Sequence, residues 1–157
     1  MSAMSDFLEN KFIDWFFRAQ AIGITGASAA AGTGPTTLYV SLFTAAPSDS
    51  GGGTEVTGGS YARVAVTSGM GASGWAGTQS AGSTTASSGT GGVTSNNGAI
   101  TFPAPSANWG VCSHFGIHDA STSGNLLFHG ALSASKTVNN GDPAPSFVAA
   151  ALQITFA

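Results

Sequence analysis

The sequence predicts a mainly β protein: an antiparallel β-sandwich of jelly-roll-like type, preceded by one N-terminal α-helix. Three observations predict it. Large apolar residues recur with helical spacing only near the start of the chain, and from Thr36 onward they alternate with a period of two. Clusters of Gly, Pro, Asn and Asp then cut the alternating stretch into about seven short runs. No helical stretch lies between those runs, as a parallel α/β sheet would require.

The first 22 residues form the helical segment, 1–22. Asp6 with Glu9 three residues later has capping-box spacing, Asp14 and Arg18 make a favourable i,i+4 pair, and Gly23 is a plausible stop. The helix is expected to run about four turns. Leu8, Phe12, Trp15, Phe16 and Ala19 share one broad face, with Lys11, Asp14 and Arg18 opposite. Ile13 and Phe17 fall outside that face, so apolar residues nearly encircle the helix. Such a helix needs cover on more than one side, from its own β-domain, from sister helices or from a partner protein. Phe7, Leu8, Phe12, Trp15, Phe16 and Phe17 are therefore the candidate assembly interface.

Residues 23–35 contain no charge and almost nothing large, the composition of a tether ending at Pro35. The β-domain is expected over 36–157. Leu38, Val40 and Leu42 alternate with Tyr39, Ser41 and Phe43 in a first strand closed by Ala46-Pro47. Residues 48–60 have loop composition, and Tyr61 to Val66 form a second strand. Segment 68–95 is the most biased: Gly, Ser and Thr make 20 of its 28 residues, with Met70, Trp75 and Val93 the only large apolar ones. It cannot offset its own ordering entropy as an independent unit. It is a long excursion loop, an extended arm, or a segment ordered only against a neighbour.

After Asn96-Asn97-Gly98 the strands return. Ile100 and Phe102 lead to two prolines; Val111, Ser113, Phe115 and Ile117 alternate with Cys112, His114, Gly116 and His118. Asn125 to Leu132 forms the second arm of a hairpin over Asp119 to Gly124. Lys136 to Val138 begins another strand, ended by the turn Asn139-Asn140-Gly141-Asp142. In the last run Val148, Ala150, Leu152, Ile154 and Phe156 share a face.

Composition narrows the function. The chain has 157 residues, one domain of ordinary size, and only 7% of them are charged. A net charge of −3 with Lys11, Arg18, Arg63 and Lys136 scattered gives no phosphate-neutralising patch, so nucleic acid is not an expected partner. No apolar run reaches the roughly 20 residues that span a bilayer, so no membrane partner is expected. The acidic N-terminus does not read as a signal peptide, which points to synthesis in a cytoplasm. A lone cysteine, Cys112, excludes a disulfide framework and reads as a small buried apolar residue.

Catalytic material is thin, and no enzyme or cofactor is expected. His114, His118 and His129 lie on neighbouring arms of one hairpin, a conceivable metal site with Asp119, although half-exposed strand histidines are the plainer reading. No G-x-S-x-G elbow occurs, and the glycine-rich stretches lack the Lys-Ser/Thr of a phosphate loop. Asp49, Glu55, Asp119 and Asp142 fall in loops or turns, where turn chemistry explains them. A binding module of another class would use Tyr61, Trp75 or Trp109 as stacking platforms for a sugar such as a host surface glycan.

One resemblance covers the helix and most of the β-domain. The opening SDFLENKFIDWFF, the stretch TTLYVSLFTAAPSDSGGGTEVTGGSYARVAV (36–66) and NNGAITFPAPSANWGVCSHFGIHDASTSGNLLFHGALSASKTVNNGD (96–142) resemble small bacteriophage and prophage virion proteins described as tail fibre proteins. The resemblance implies a bacteriophage virion structural protein of tail-fibre type, anchored by its helix and projecting a β-domain, with no catalytic residues. It implies other phage virion proteins of tail, neck or capsid as partners, and a symmetric homo-oligomer such as a trimer. It also implies synthesis in the bacterial host and a place in the virion. Capsid decoration or cement is the alternative, with 68–95 and the helix bridging capsomers. The chain departs from shorter members of the group by segment 68–95.

Overall fold

A computed structural model describes residues 4–24 and 34–156, so most of the expected tether 23–35 lies outside the described residues. One helix, α1 (Asp6–Phe16), is followed by β1 (Thr37–Ala45), β2 (Thr54–Glu55), β3 (Val64–Thr67), β4 (Val93–Ser95), β5 (Ile100–Thr101), β6 (Gly110–His118), β7 (Leu126–Val138), β8 (Ser146–Phe147) and β9 (Gln153–Thr155). The chain is mainly β with one N-terminal helix, and β1–β2, β1–β6, β6–β7 and β4–β9 all pair antiparallel. That is the class the sequence predicts, and such sheets are the components of a sandwich.

Two compact units divide the chain. The first draws on 1–36, 67–100 and 147–157, the second on 37–66 and 101–146.

In the first unit, the N-cap of α1 lies one residue before the expected Asp6. Ser5 is the N-cap, its Oγ accepting from Leu8 N–H at 3.4 Å, and Asp6 and Glu9 occupy the first turn. The helix also ends sooner than expected. Phe17 N–H closes on Ile13 C=O, Ala19 turns into the left-handed region at φ 54°, and Gln20 N–H closes on Asp14 C=O at 2.9 Å. Strands β4 and β9 pair with Thr94 opposite Ile154. Among the unit's described residues, Ile13, Phe17, Trp75, Ile100, Leu152 and Ile154 are the buried apolar side chains of any size. Gly92 is required by its position: φ is 55°, and a Cβ there would lie 2.2 Å from Phe156 O and 2.6 Å from a Glu9 carboxylate oxygen.

In the second unit, five strands form one sheet in the order β2-β1-β6-β7, with β3 also pairing β1. Leu42 faces Phe115 and Tyr39 faces His118 across β1 and β6. The two runs expected over 125–132 and from 136 are a single strand, β7. Its ladder with β6 is broken where Cys112 pairs with Lys136 but His114 with Ala131, so Leu132 to Ser135 bulge opposite Ser113 alone. The bulge reverses the face phase that strict alternation gives. Val111 is 51% exposed, whereas Cys112, Phe115 and Ile117 are buried. The hairpin turn is built on Asp119, whose carboxylate accepts from Asn125 N–H (2.7 Å) and Asn125 Nδ2 (2.6 Å). Its two hydrogen bonds to Asn125 hold the Asp119 carboxyl below its usual range.

Candidate functional site

The N-terminal helix carries the residues singled out for assembly, and its two faces do different work. Phe12 and Phe17 both pack on Phe156, with centroids 5.2 and 6.1 Å apart, and Phe17 packs on Trp75 at 4.8 Å. Trp15 and Phe16 extend this aromatic cluster, Phe16 lying 5.6 Å from Phe12 and 5.9 Å from Trp15. Phe17 is fully buried, while Phe12, Trp15 and Phe16 are half-buried. Only the first turn presents large apolar side chains to the outside: Phe7 is 58% exposed and Leu8 36%. Lys11 Nζ lies 5.8 Å from the centre of the Phe7 ring.

The polar face holds segment 68–95. Asn10 and Asp14 on the helix and Arg18 just past its C-cap are spaced by four, and Arg18 is fully buried. Its Nη1 pairs with Asp14 Oδ1 and donates to Ser87 Oγ at 3.2 Å; its Nε donates to Trp75 C=O at 3.1 Å, and its Nη2 to Thr85 and Ser83 carbonyls. Asp14 in turn accepts from Ser87 N–H (2.9 Å) and Ser87 Oγ (2.6 Å). One turn earlier, Asn10 Nδ2 donates to Gly89 C=O at 3.0 Å and Asn10 Oδ1 accepts from Thr78 Oγ1. Residues 75–89 are thus tied to Asn10, Asp14 and Arg18 by hydrogen bonds, and Trp75 adds a buried aromatic contact. Sequence reasoning placed Asp14 and Arg18 opposite the apolar face but did not see what they hold. The available signal was their four-residue spacing with Asn10, in a chain whose Ser/Thr-rich segment needed partners.

The three stacking candidates are structural supports in this conformation. Trp75 is fully buried against Phe17. Trp109 is buried, with its Nε1 donating to Gly59 C=O at 3.0 Å. Tyr61 lies parallel to Phe102 and edge-on to Trp109, 6.2 and 5.3 Å away. Its hydroxyl accepts from Leu42 N–H at 2.9 Å and donates to Glu55 Oε1 at 3.0 Å. Burial, with Glu55 beside it, pushes the phenol far above its ordinary value.

Glu55 and Arg63 form a bidentate pair, with Nε to Oε1 and Nη2 to Oε2 both at 2.8 Å. Burial pushes the Glu55 carboxyl up, but the hydrogen bonds from Arg63 and Tyr61 and the Arg63 charge outweigh it and hold the group below its ordinary value. Arg63 Nη1 also donates to Ala120 and Ser123 carbonyls at 2.9 and 2.7 Å, clamping the hairpin turn.

The histidines do not converge. His114 Nδ1 meets Ser113 Oγ at 2.9 Å, His118 Nε2 meets Ser41 Oγ at 3.0 Å, and His129 Nε2 lies 3.3 Å from Asp49 Oδ1. Among the described residues no three His, Cys, Asp or Glu side chains come together as metal ligands, and no helix is long and apolar enough to cross a membrane. The Cys112 thiol is buried and pushed up by that burial, away from the thiolate that reacts.

A protein-family model described as podophage GP4 fiber I protein gp80 matches residues 3–155. The chain belongs to this fibre-protein family. The match runs from the helix through both compact units to the end of β9. Membership makes the chain a fibre-type phage structural protein, a virion component that associates with other virion components, and it favours a structural role over a catalytic one. No curated protein matches the sequence significantly.

Proposed function

We propose that this chain is a tail-fibre-type component of a podophage particle, docked on a neighbouring virion protein through the first turn of its N-terminal helix. The observation that carries the docking is the exposure of Phe7 and Leu8 beside each other at the start of an otherwise packed helix. The rest of the aromatic set, Phe12, Trp15, Phe16 and Phe17, supports that turn from within the first unit, so the helix serves as both core element and contact surface. The chain is made in the host cytoplasm and enters the virion as a homo-oligomer, with tail or neck proteins as its neighbours.

Quantitative mass spectrometry of purified particles tests this. A copy number that is a small multiple of the tail symmetry supports the fibre reading. A number comparable with the major capsid protein assigns the chain to capsid decoration instead, and its absence from particles removes both.

A further inference from the structure

In the second unit, His118 lines a cleft of about 260 Å³ together with Phe43, Glu55, Leu126 and the glycine run 51–53. The residue is 5% exposed. Its ring lies parallel to Phe43, 6.2 Å between centroids, and its Nε2 is 3.0 Å from Ser41 Oγ. Nδ1 is buried and has no hydrogen-bond partner. As a lone pair that nitrogen costs little; as the second N–H of an imidazolium it becomes an unpaired donor on a buried cation.

The charged groups facing the ring are Arg63, Glu55 from β2 and Asp119 from the hairpin turn, and Tyr39 of β1 is its cross-strand neighbour. Neither carboxylate is at liberty to receive the new donor. Glu55 is held by Arg63 and Tyr61, and Asp119 by both amides of Asn125.

We propose that His118 is an acid-operated latch on β2: protonating its ring pulls the Glu55 carboxylate off Arg63 and loosens the pairing of Thr54–Glu55 with β1. The imidazolium repels the Arg63 guanidinium and attracts the Glu55 carboxylate, so the pair between them is the interaction under strain. β2 is a two-residue strand: it pairs with β1 at Phe43–Glu55 and Ala45–Thr54 across a register shift, and Thr44 Oγ1 donates to Thr54 C=O at 3.2 Å. The run leading into it, Gly51–Gly53, has φ of 88°, 81° and 75°, and a Cβ on either of the first two would meet nothing. Burial, with Arg63 adding to it, already holds the imidazole below its ordinary value, which puts the latch on the acid side of neutrality.

The test is an NMR titration of the imidazoles combined with amide exchange from about pH 7.5 to about pH 5, corrected for intrinsic rates. Val56 N–H, which donates to Leu42 C=O at 3.0 Å, is the reporter. Its protection should fall on the order of tenfold with the His118 midpoint, and His118→Gln should remove that pH dependence. Constant protection, or a loss that persists in the Gln variant, overturns the latch. Should that variant not fold, the wild-type data decide: a loss that follows the His129 or a carboxylate midpoint overturns it equally.

Discussion

Arg18 donates from Nε to the carbonyl of Trp75 at 3.1 Å, which fastens the residue just past the helix C-cap to a segment that has little core of its own. The same side chain pairs with Asp14 and reaches the Ser83 and Thr85 carbonyls, so one buried guanidinium ties residues 75, 83 and 85 of a long Gly/Ser/Thr excursion together. Arg is suited to this because its planar fork carries five donors in fixed directions.

Arg18→Met keeps the bulk and removes the donors. It leaves Asp14 buried beside no cation, which costs about 3–5 kcal/mol. Urea unfolding measures the loss, and Arg18→Lys should recover only part of it because an ammonium cannot span the same carbonyls. Wild-type stability in either variant would remove Arg18 from its organising role.

Phe17 and Phe7 should separate core from surface. Phe17→Ala empties a fully buried site against Trp75 and Phe156 and should cost about 3–5 kcal/mol. Phe7→Ala, more than half exposed, should stay within about 0.5 kcal/mol of wild type. Equal effects in thermal unfolding would contradict the division of the helix into packed and presented parts.

Stability should fall in two acid windows. The folded protein holds His118 below its ordinary 6.5, so the unfolded chain takes up that proton first. The stability this contributes is complete above about pH 6.5 and is lost as pH falls from there toward the lower folded value. The lowered Glu55 adds a second loss that starts only near its ordinary 4.5 and continues below it. Urea midpoints across pH should show the upper step vanish in His118→Gln and the lower one persist.

Gly130 lies under a ring. A Cβ there would sit 2.9 Å from Phe115 Cε1, so Gly130→Val forces the buried ring to move and should cost about 1–3 kcal/mol. An unchanged unfolding midpoint would mean that the ring yields freely.

The sequence shows the fold class because helical and alternating periods are local. The aromatic stripe marks α1, and Leu38 to Phe43 mark β1 almost to the residue. The helix end was harder to see, since a left-handed Ala19 stops the chain where Gly23 promised to. The phase change in β6 and β7 was hidden as well: a bulge at Leu132 to Ser135 depends on how two strands meet, not on either strand alone. The same holds for the site. Phe7 and Phe17 read alike as apolar helix residues, and only Trp75 and Phe156, distant in sequence, make one of them core. Tyr61 and Trp109 offered themselves as ligand platforms because sequence shows the aromatic residue and not the Phe102 and Gly59 that occupy it.

Incorporation of a Phe7→Ser, Leu8→Ser double variant into particles is the most direct test of docking through the first helical turn. The account predicts a folded protein, with wild-type circular dichroism and an unfolding midpoint close to wild type, that is missing from purified particles. Incorporation at the wild-type level would contradict it.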